Sequence, residues 1–338
     1  MTVVQSPASN ESAAAAPPAD SIPMPVATEP PRAADPAYLP PLIWTPEVER
    51  CTAQAIEWVV SDMPGGTFIG LPLTGKSHFL LYCKKVLPLM LGGSVSHTLW
   101  SFMGFLNWNK EDVLRLMMFQ SGCRAVHARS YVVLFSRLVD HLLETAQAFG
   151  ARRFVAFIDE IQELPEPMYQ VIRSVTAKVQ EEGLCTCTVS VGQVSLSEQV
   201  DHLYREGNLR VAGRFFGEAQ PFNALTVEEA IAVLANLEGP SRDFTARWFP
   251  RLHANGWSLE QIAPHLRRSV LQMSGERGLT REALLPLNYF RPALVRMLRI
   301  LSARSDRDDG LSEAEVHACL AHQSYARVMH HYVKVSEA

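Results

Sequence analysis

Gly70-Leu71-Pro72-Leu73-Thr74-Gly75-Lys76-Ser77 places two glycines, a lysine and a hydroxyl in one octapeptide that satisfies G-x-x-x-x-G-K-[ST] without a mismatch. The chemistry this arrangement suits is the binding of a phosphate chain. A loop between a strand and a helix must aim successive backbone N–H groups at the anion, and side chains at the flanking positions would block its approach, hence the glycines. Lys76 then reaches the β- and γ-phosphates of a nucleoside triphosphate, and the Ser77 hydroxyl serves as a ligand for Mg2+. His78 follows in the first turn of a helix whose positive end faces the anion. Gly70 to His78 are therefore the expected nucleotide-binding residues.

Hydrolysis would need more: an acid that holds Mg2+ at the end of an apolar strand, and a base that activates water. Phe154-Val155-Ala156-Phe157-Ile158-Asp159-Glu160 supplies both, with Asp159 as the metal-side carboxylate and Glu160 as the base. Strand carboxyl ends are where ligands bind in open parallel sheets. The competing assignment makes both acids helix caps. A third element, a polar residue at the tip of the next strand that senses the γ-phosphate or positions water, is met by Gln193 in Val189-Ser190-Val191-Gly192-Gln193. An ordinary turn glutamine is the alternative there.

These residues must be positioned by strands at Thr67–Ile69, Val95–Trp100, Phe154–Ile158 and Thr186–Val191, with a weaker one around Phe215–Phe222. The pattern places helices between them: Thr45 capping one with Pro46 at its first position, then Lys76 to Met90, 111–120, 129–148, Glu166–Glu182 and Glu198–Tyr204. Beyond Leu225 only helical patterns remain, at about 226–237, 243–253, 258–273, 280–285, 291–304 and 312–334. Strands alternating with helices, then helices alone, imply a parallel α/β domain followed by an all-α one. Residues 1–41 hold ten of the 22 prolines and read as a disordered Pro/Ala-rich tail. The expected organisation is thus 1–41 tail, 42–225 nucleotide-binding domain and 226–338 helical lid.

Composition narrows the class further. A net charge of −4 with 47% hydrophobic and 20% charged residues excludes a polybasic coat and a wholly disordered chain. Six scattered cysteines show no metal spacing and read as reduced, packed thiols. No apolar run approaches a membrane span, and no secretory signal opens the chain. A soluble, cytoplasmic protein is expected.

Taken together, these segments resemble the AAA+ ATPase superfamily, and within it the transposition helper ATPases of the TniB/TnsC type, related to IstB. The resemblance is carried by Trp44-Thr45-Pro46, Gly70 to Ser77, Asp159-Glu160-Ile161-Gln162, Ser190-Val191-Gly192-Gln193 and Ala212-Gly213-Arg214-Phe215-Phe216. Leu73 stands where many AAA+ loops have a further glycine. The resemblance implies a five-stranded sheet of order 5-1-4-3-2, an α-helical lid, ATP and Mg2+ as cofactors, and sites shared between subunits of a ring or helical filament. It implies an arginine that reaches a neighbour's γ-phosphate, with Arg214 as the match and Arg210 and Arg205 as reserves. Arg291, in Asn288-Tyr289-Phe290-Arg291-Pro292, corresponds to a lid arginine at the nucleotide. It also implies ATP-dependent oligomers on double-stranded DNA that link a target-selector protein to a DDE transposase and come apart on hydrolysis. The Ser101–Asp112 loop, with Phe102, Phe105, Trp108 and Lys110, either lines the inner surface of such an assembly or packs its aromatics. Competing functions on the same motifs are a helicase loader, a defence-system ATPase, or a signalling or scaffold module that binds ATP with little turnover; Glu160 argues against the last.

Overall fold

The computed structural model describes residues 39–103, 109–124, 130–239, 243–304, 309–322 and 324–334. Residues 1–38, Phe105 and Trp108 lie outside these. Five strands, β1 (Gly65–Ile69), β2 (Val95–Ser101), β3 (Arg153–Asp159), β4 (Cys185–Gly192) and β5 (Ala219–Pro221), form one sheet of order β2-β3-β4-β1-β5. Every pairing is parallel, so all five strands end on the same edge. This is the 5-1-4-3-2 order that the resemblance implies, read from the other edge. The last strand is shorter than the 215–222 pattern suggested, because Leu209–Phe215 forms a helix, α7, that the sequence pattern had not announced. Its Val211, Ala212 and Phe215 are buried at helical spacing, which the aromatic run had masked.

Both faces of the sheet are covered, which explains the near-continuous apolar runs. In β3, Val155 and Phe157 face a cluster with Trp58, Phe68 and Phe79, supplied by α1 (Pro46–Val60), β1 and α2 (Lys76–Met90). Phe154, Ala156 and Ile158 face the opposite cluster. Residues from α3 (Lys110–Gln120), α4 (Tyr131–Ala148), α5 (Glu166–Glu181), α6 (Leu196–Arg205) and α7 build that second cluster. The two-residue alternation of a strand thus sorts one apolar run onto two cores. Phe102 is fully buried in the second of them, so this aromatic is packed, whereas Lys110 is exposed at the start of α3. The Thr45 cap forms as expected, its hydroxyl accepting from the Val48 N–H at 3.1 Å. Glu47 does more than face the helix dipole: it is buried and accepts the Asn223 N–H at 2.7 Å, tying α1 to the chain leaving β5.

Past Leu225 the helices are α8 (Val227–Leu237), α9 (Phe244–Trp248), α10 (Pro250–Ala254), α11 (Ala263–Glu276), α12 (Leu287–Ala303), α13 (Glu313–His322) and α14 (Tyr325–Val328). They share a core with Leu39 and Ile43. Several expected boundaries are corrected. The 243–253 segment splits at Phe249-Pro250, since a residue before proline is pushed out of the helical region. The 258–273 helix opens as a 3-10 turn, Leu259–Ile262, and continues to Glu276. Residues 280–285 are not helical: Leu285 bridges Leu225 and Ala283 bridges Val333, with Pro286 next in sequence. α12 accordingly starts at Leu287 rather than 291, and the 312–334 helix breaks at Ser324, whose φ is +58°.

Buried hydroxyls fasten the unannounced α7 to the sheet. Thr67 Oγ1, in contact with Ser190 Oγ, donates to the Phe215 carbonyl at 2.7 Å, and Thr188 Oγ1 donates to the Arg214 carbonyl at 3.0 Å. Thr67→Val keeps the shape but strands the Phe215 carbonyl among apolar groups. It should lower unfolding stability by about 1–3 kcal/mol in a urea titration.

Candidate nucleotide site

The loop that follows β1 has the backbone its glycines permit. A Cβ on Gly70 would sit 2.1 Å from the Phe222 carbonyl oxygen, a backbone atom that cannot step aside cheaply. Gly75 has φ +116° and caps α2 in the left-handed region. Leu73 also has a positive φ, +63°, so the position where many AAA+ loops carry glycine is one where glycine would be unstrained. Its side chain is exposed, which spares it a steric conflict. Among the described residues the N–H groups of Leu73 and Gly75 make no backbone hydrogen bond. Thr74 Oγ1 donates to the Leu71 carbonyl at 2.9 Å and tightens the turn.

Lys76 is buried and folds back over the loop, its Nζ donating to the carbonyls of Gly70 at 2.8 Å and Leu71 at 2.7 Å. Burial holds its ammonium below the usual lysine range, while Glu160 and Asp159 act in the opposite direction. Ser77 is exposed at the mouth of the site. The Gly70 N–H donates to the Gly192 carbonyl at 3.2 Å, so the phosphate loop is moored to the tip of β4.

Asp159 ends β3 on the same edge and is 8% exposed. Burial pushes its carboxyl above the ordinary value, opposed by the nearby Ser77 hydroxyl, by the Glu160 N–H at 3.0 Å and by the Lys76 charge. A desolvated carboxylate beside a serine hydroxyl is a donor set that fits a hard cation such as Mg2+. Glu160 adopts a left-handed backbone, φ +53°, rare outside glycine and common at functional sites. Its Oε2 accepts from Gln193 Nε2 at 3.2 Å and from Gln162 Nε2. Gln162 Oε1 in turn accepts the Gln193 N–H at 3.1 Å. Gln162 thereby links the two residues, a role the sequence did not single out although Gln162 lies two positions after Glu160. Gln199 supports it from α6 through the Gln162 carbonyl at 3.1 Å.

The remaining expected residues sit further out. The His78 ring meets Ile43, at 3.1 Å from its N–H and 2.8 Å from its carbonyl, and burial lowers its pKa. Arg291 lies in the second turn of α12. It donates to the Pro40 carbonyl at 3.4 Å, and its buried Nε has no partner among the described residues. Arg214 occupies the last turn of α7, where its Nη2 donates to Thr186 Oγ1 at 2.8 Å and Gln180 Oε1 at 3.1 Å. Thr186 opens β4 and Gln193 follows its end, so Arg214 is about 20 Å from its own chain's site. Arg205 and Arg210 are exposed.

Among solved structures, the chain is similar to the ORC2 protein of Aeropyrum pernix in its ADPNP–ADP complexes, at 14% identity and a TM-score of 0.58, over 87% of this chain and 72% of that one. It is also similar to the ADP form of that protein, at 15% identity and a TM-score of 0.52, over 84% and 70%. The fold is AAA+. At these identities the likeness is one of fold alone. No family model matches the chain, and no curated protein matches it in sequence. Within the AAA+ fold, the loop, Asp159, Glu160 and Gln193 share the edge formed by the ends of β1, β3 and β4. No helix among the described residues is long and apolar enough to cross a membrane.

The raised pKa of Asp159 has a consequence for stability. The folded chain binds this proton more readily than the unfolded one. Stability from this group therefore falls as pH rises from about 3.8 through the raised value, and the burial cost is full at neutral pH. Asp159→Asn should raise the nucleotide-free melting temperature at pH 7 by about 2 °C, with the gap closing toward pH 4. Circular dichroism melts across that range check it, and a variant that melts lower at pH 7 contradicts it.

Proposed function

We propose that this chain is a Mg2+-dependent ATPase of the AAA+ type that oligomerises on double-stranded DNA and regulates transposition. In this role it links a target-selector protein to a transposase, and ATP hydrolysis drives disassembly. The observation that carries the ATPase assignment is the placing of Glu160, hydrogen-bonded to Gln193, beside the Ser77–Asp159 pair and the Lys76 loop. Support for the transposition role comes from the resemblance of the chain's motifs to those of TniB/TnsC proteins. The fold shared with a protein solved in ADPNP–ADP complexes agrees with nucleotide use.

The residues divide the work as follows. Gly70 to Gly75 offer backbone N–H groups to the phosphate chain, and Lys76 turns from the Gly70 and Leu71 carbonyls toward the β- and γ-oxygens. Ser77 and Asp159 would hold Mg2+, which supplies charge neutralisation on those oxygens when bound. Glu160 accepts the proton of the attacking water as the new P–O bond forms and the bond to the ADP oxygen breaks. Both amide donors sit on its Oε2, which leaves Oε1 to take that proton. Gln193 registers the γ-phosphate and hands that signal to Glu160 through the bond between them. Arg291 approaches from the lid, beside His78.

Arg214 lies at the wrong end of the sheet to serve its own site, so it is assigned to a neighbour's γ-phosphate, which makes turnover depend on assembly. A mixing experiment tests the scheme. Lys76→Ala and Arg214→Ala chains should each be inactive alone, and should regain ATPase activity when mixed on duplex DNA, because mixed interfaces pair an intact loop with an intact arginine. Glu160→Gln should form ATP-dependent complexes on duplex DNA that outlast the wild type's in gel filtration. A monomer indifferent to DNA with ATP, ADP or no nucleotide overturns the proposal.

A further inference from the structure

The phosphate loop is gripped from its outer side by residues far along the chain. Tyr332 Oη donates to the Pro72 carbonyl at 3.0 Å, and the Asn288 N–H, at the start of α12, donates to the Leu73 carbonyl at 3.2 Å. Leu71 packs in a small cluster with Ala224, Leu284 and Tyr332. The Leu287 side chain lies against Gly75.

Tyr332 is itself firmly seated. The residue is 6% exposed, its carbonyl accepts the Leu284 N–H at 2.8 Å, and the Lys334 N–H donates to the Glu282 carbonyl at 2.9 Å. Val333 bridges Ala283, and two residues on Leu285 bridges Leu225, just past the sheet. Residues 332–334 and 282–285 thus form a joint between the sheet and the lid helices, and the Tyr332 hydroxyl projects from that joint onto the loop.

A peptide unit is planar and trans, so its C=O and N–H point in opposite directions. Holding the Pro72 carbonyl from the lid side therefore fixes the Leu73 N–H on the other side. Holding the Leu73 carbonyl does the same for the Thr74 N–H. These are N–H groups of the kind a phosphate loop presents to its anion. An outside grip has a purpose here, because Leu73 is kept in a left-handed conformation that a leucine leaves readily.

We propose that Tyr332 is a positioning residue of the phosphate loop: through the Pro72 carbonyl its hydroxyl pre-orients the Leu73 N–H for phosphate, coupling nucleotide affinity to the docking of residues 329–334. This rests on the nucleotide-binding role of the loop. Reciprocity follows, since a ligand favoured by the docked segment must itself favour docking.

The test uses the full chain and a fluorescent ADP analogue in stopped-flow displacement. Tyr332→Phe removes one hydroxyl and should speed nucleotide dissociation about three- to tenfold, the effect of one hydrogen bond, with little change in the nucleotide-free melting temperature. Tyr325→Phe is the control. It loses a hydroxyl bond to the Leu284 carbonyl in the same joint, at 2.8 Å, without touching the loop. It should lower the melting temperature and leave the dissociation rate alone. In the wild type, ADP should slow amide exchange at Leu284 and Lys334. Unchanged dissociation in Tyr332→Phe, equal acceleration in both variants, or no protection of those amides overturns the positioning role while leaving nucleotide binding intact. A wild type that does not bind the analogue overturns both.

Discussion

The insertion of β4 between β1 and β3 is the constraint on which the rest of the structure depends. The loop after β1 and the acids after β3 are two strand spacings apart, roughly 10 Å, and the tip of β4 fills that gap. Gly192 anchors the loop with its carbonyl, while Gln193 reaches the other way to Glu160. A β4 that paired elsewhere would leave Lys76 and Glu160 on one sheet with nothing between them to carry a signal. The run Thr186 to Val191 is buried at every position, its hydroxyls taken up in hydrogen bonds, which makes this central position the favourable one.

Much of this was legible in the sequence, and the limits have physical causes. The loop motif fixed the strand before it and the helix after it because phosphate binding demands that geometry. The run ending in Asp159-Glu160 identified a central strand because only a strand covered on both faces is apolar at every position. Gln193 was legible only as a polar residue at a strand tip; its bond to Glu160 depends on a register between β3 and β4 that no single segment encodes. α7 was hidden because Phe215 and Phe216 mimic a strand start, while the burial of Val211 and Ala212 depends on the sheet beneath them. The stretch at 282–285 was read as helix because its pairing partners, Leu225 and Val333, lie far away in sequence. Tertiary contact overrode a local pattern in both cases.

The site's charges are solvated mainly by the backbone. Lys76 places its donors on two loop carbonyls, and Asp159 takes the Glu160 N–H. The surface ion pairs, such as Arg267 with Glu228 and Arg268 with Glu313, lie on the lid and are exposed. Such pairs contribute little to stability. A buried ammonium and a buried carboxylate held by dipoles rather than locked to each other stay free to turn toward a ligand, at some cost to the resting fold.

Thr186 and Gln193 stand at opposite ends of one strand, and with them Arg214 and the site stand at opposite ends of the chain's sheet. Contacts between such unlike ends are heterologous: they close into a ring if the rotation permits and otherwise run on as a helix. Under the proposed sharing of Arg214, an open assembly has direction. One terminal protomer holds nucleotide with no arginine to complete its site, while every interior protomer has one. The share of complete sites among n protomers would then rise as (n − 1)/n, steeply for the shortest assemblies and hardly at all for long ones, so the shortest would be the longest-lived for their size, a consequence of the chain's own asymmetry.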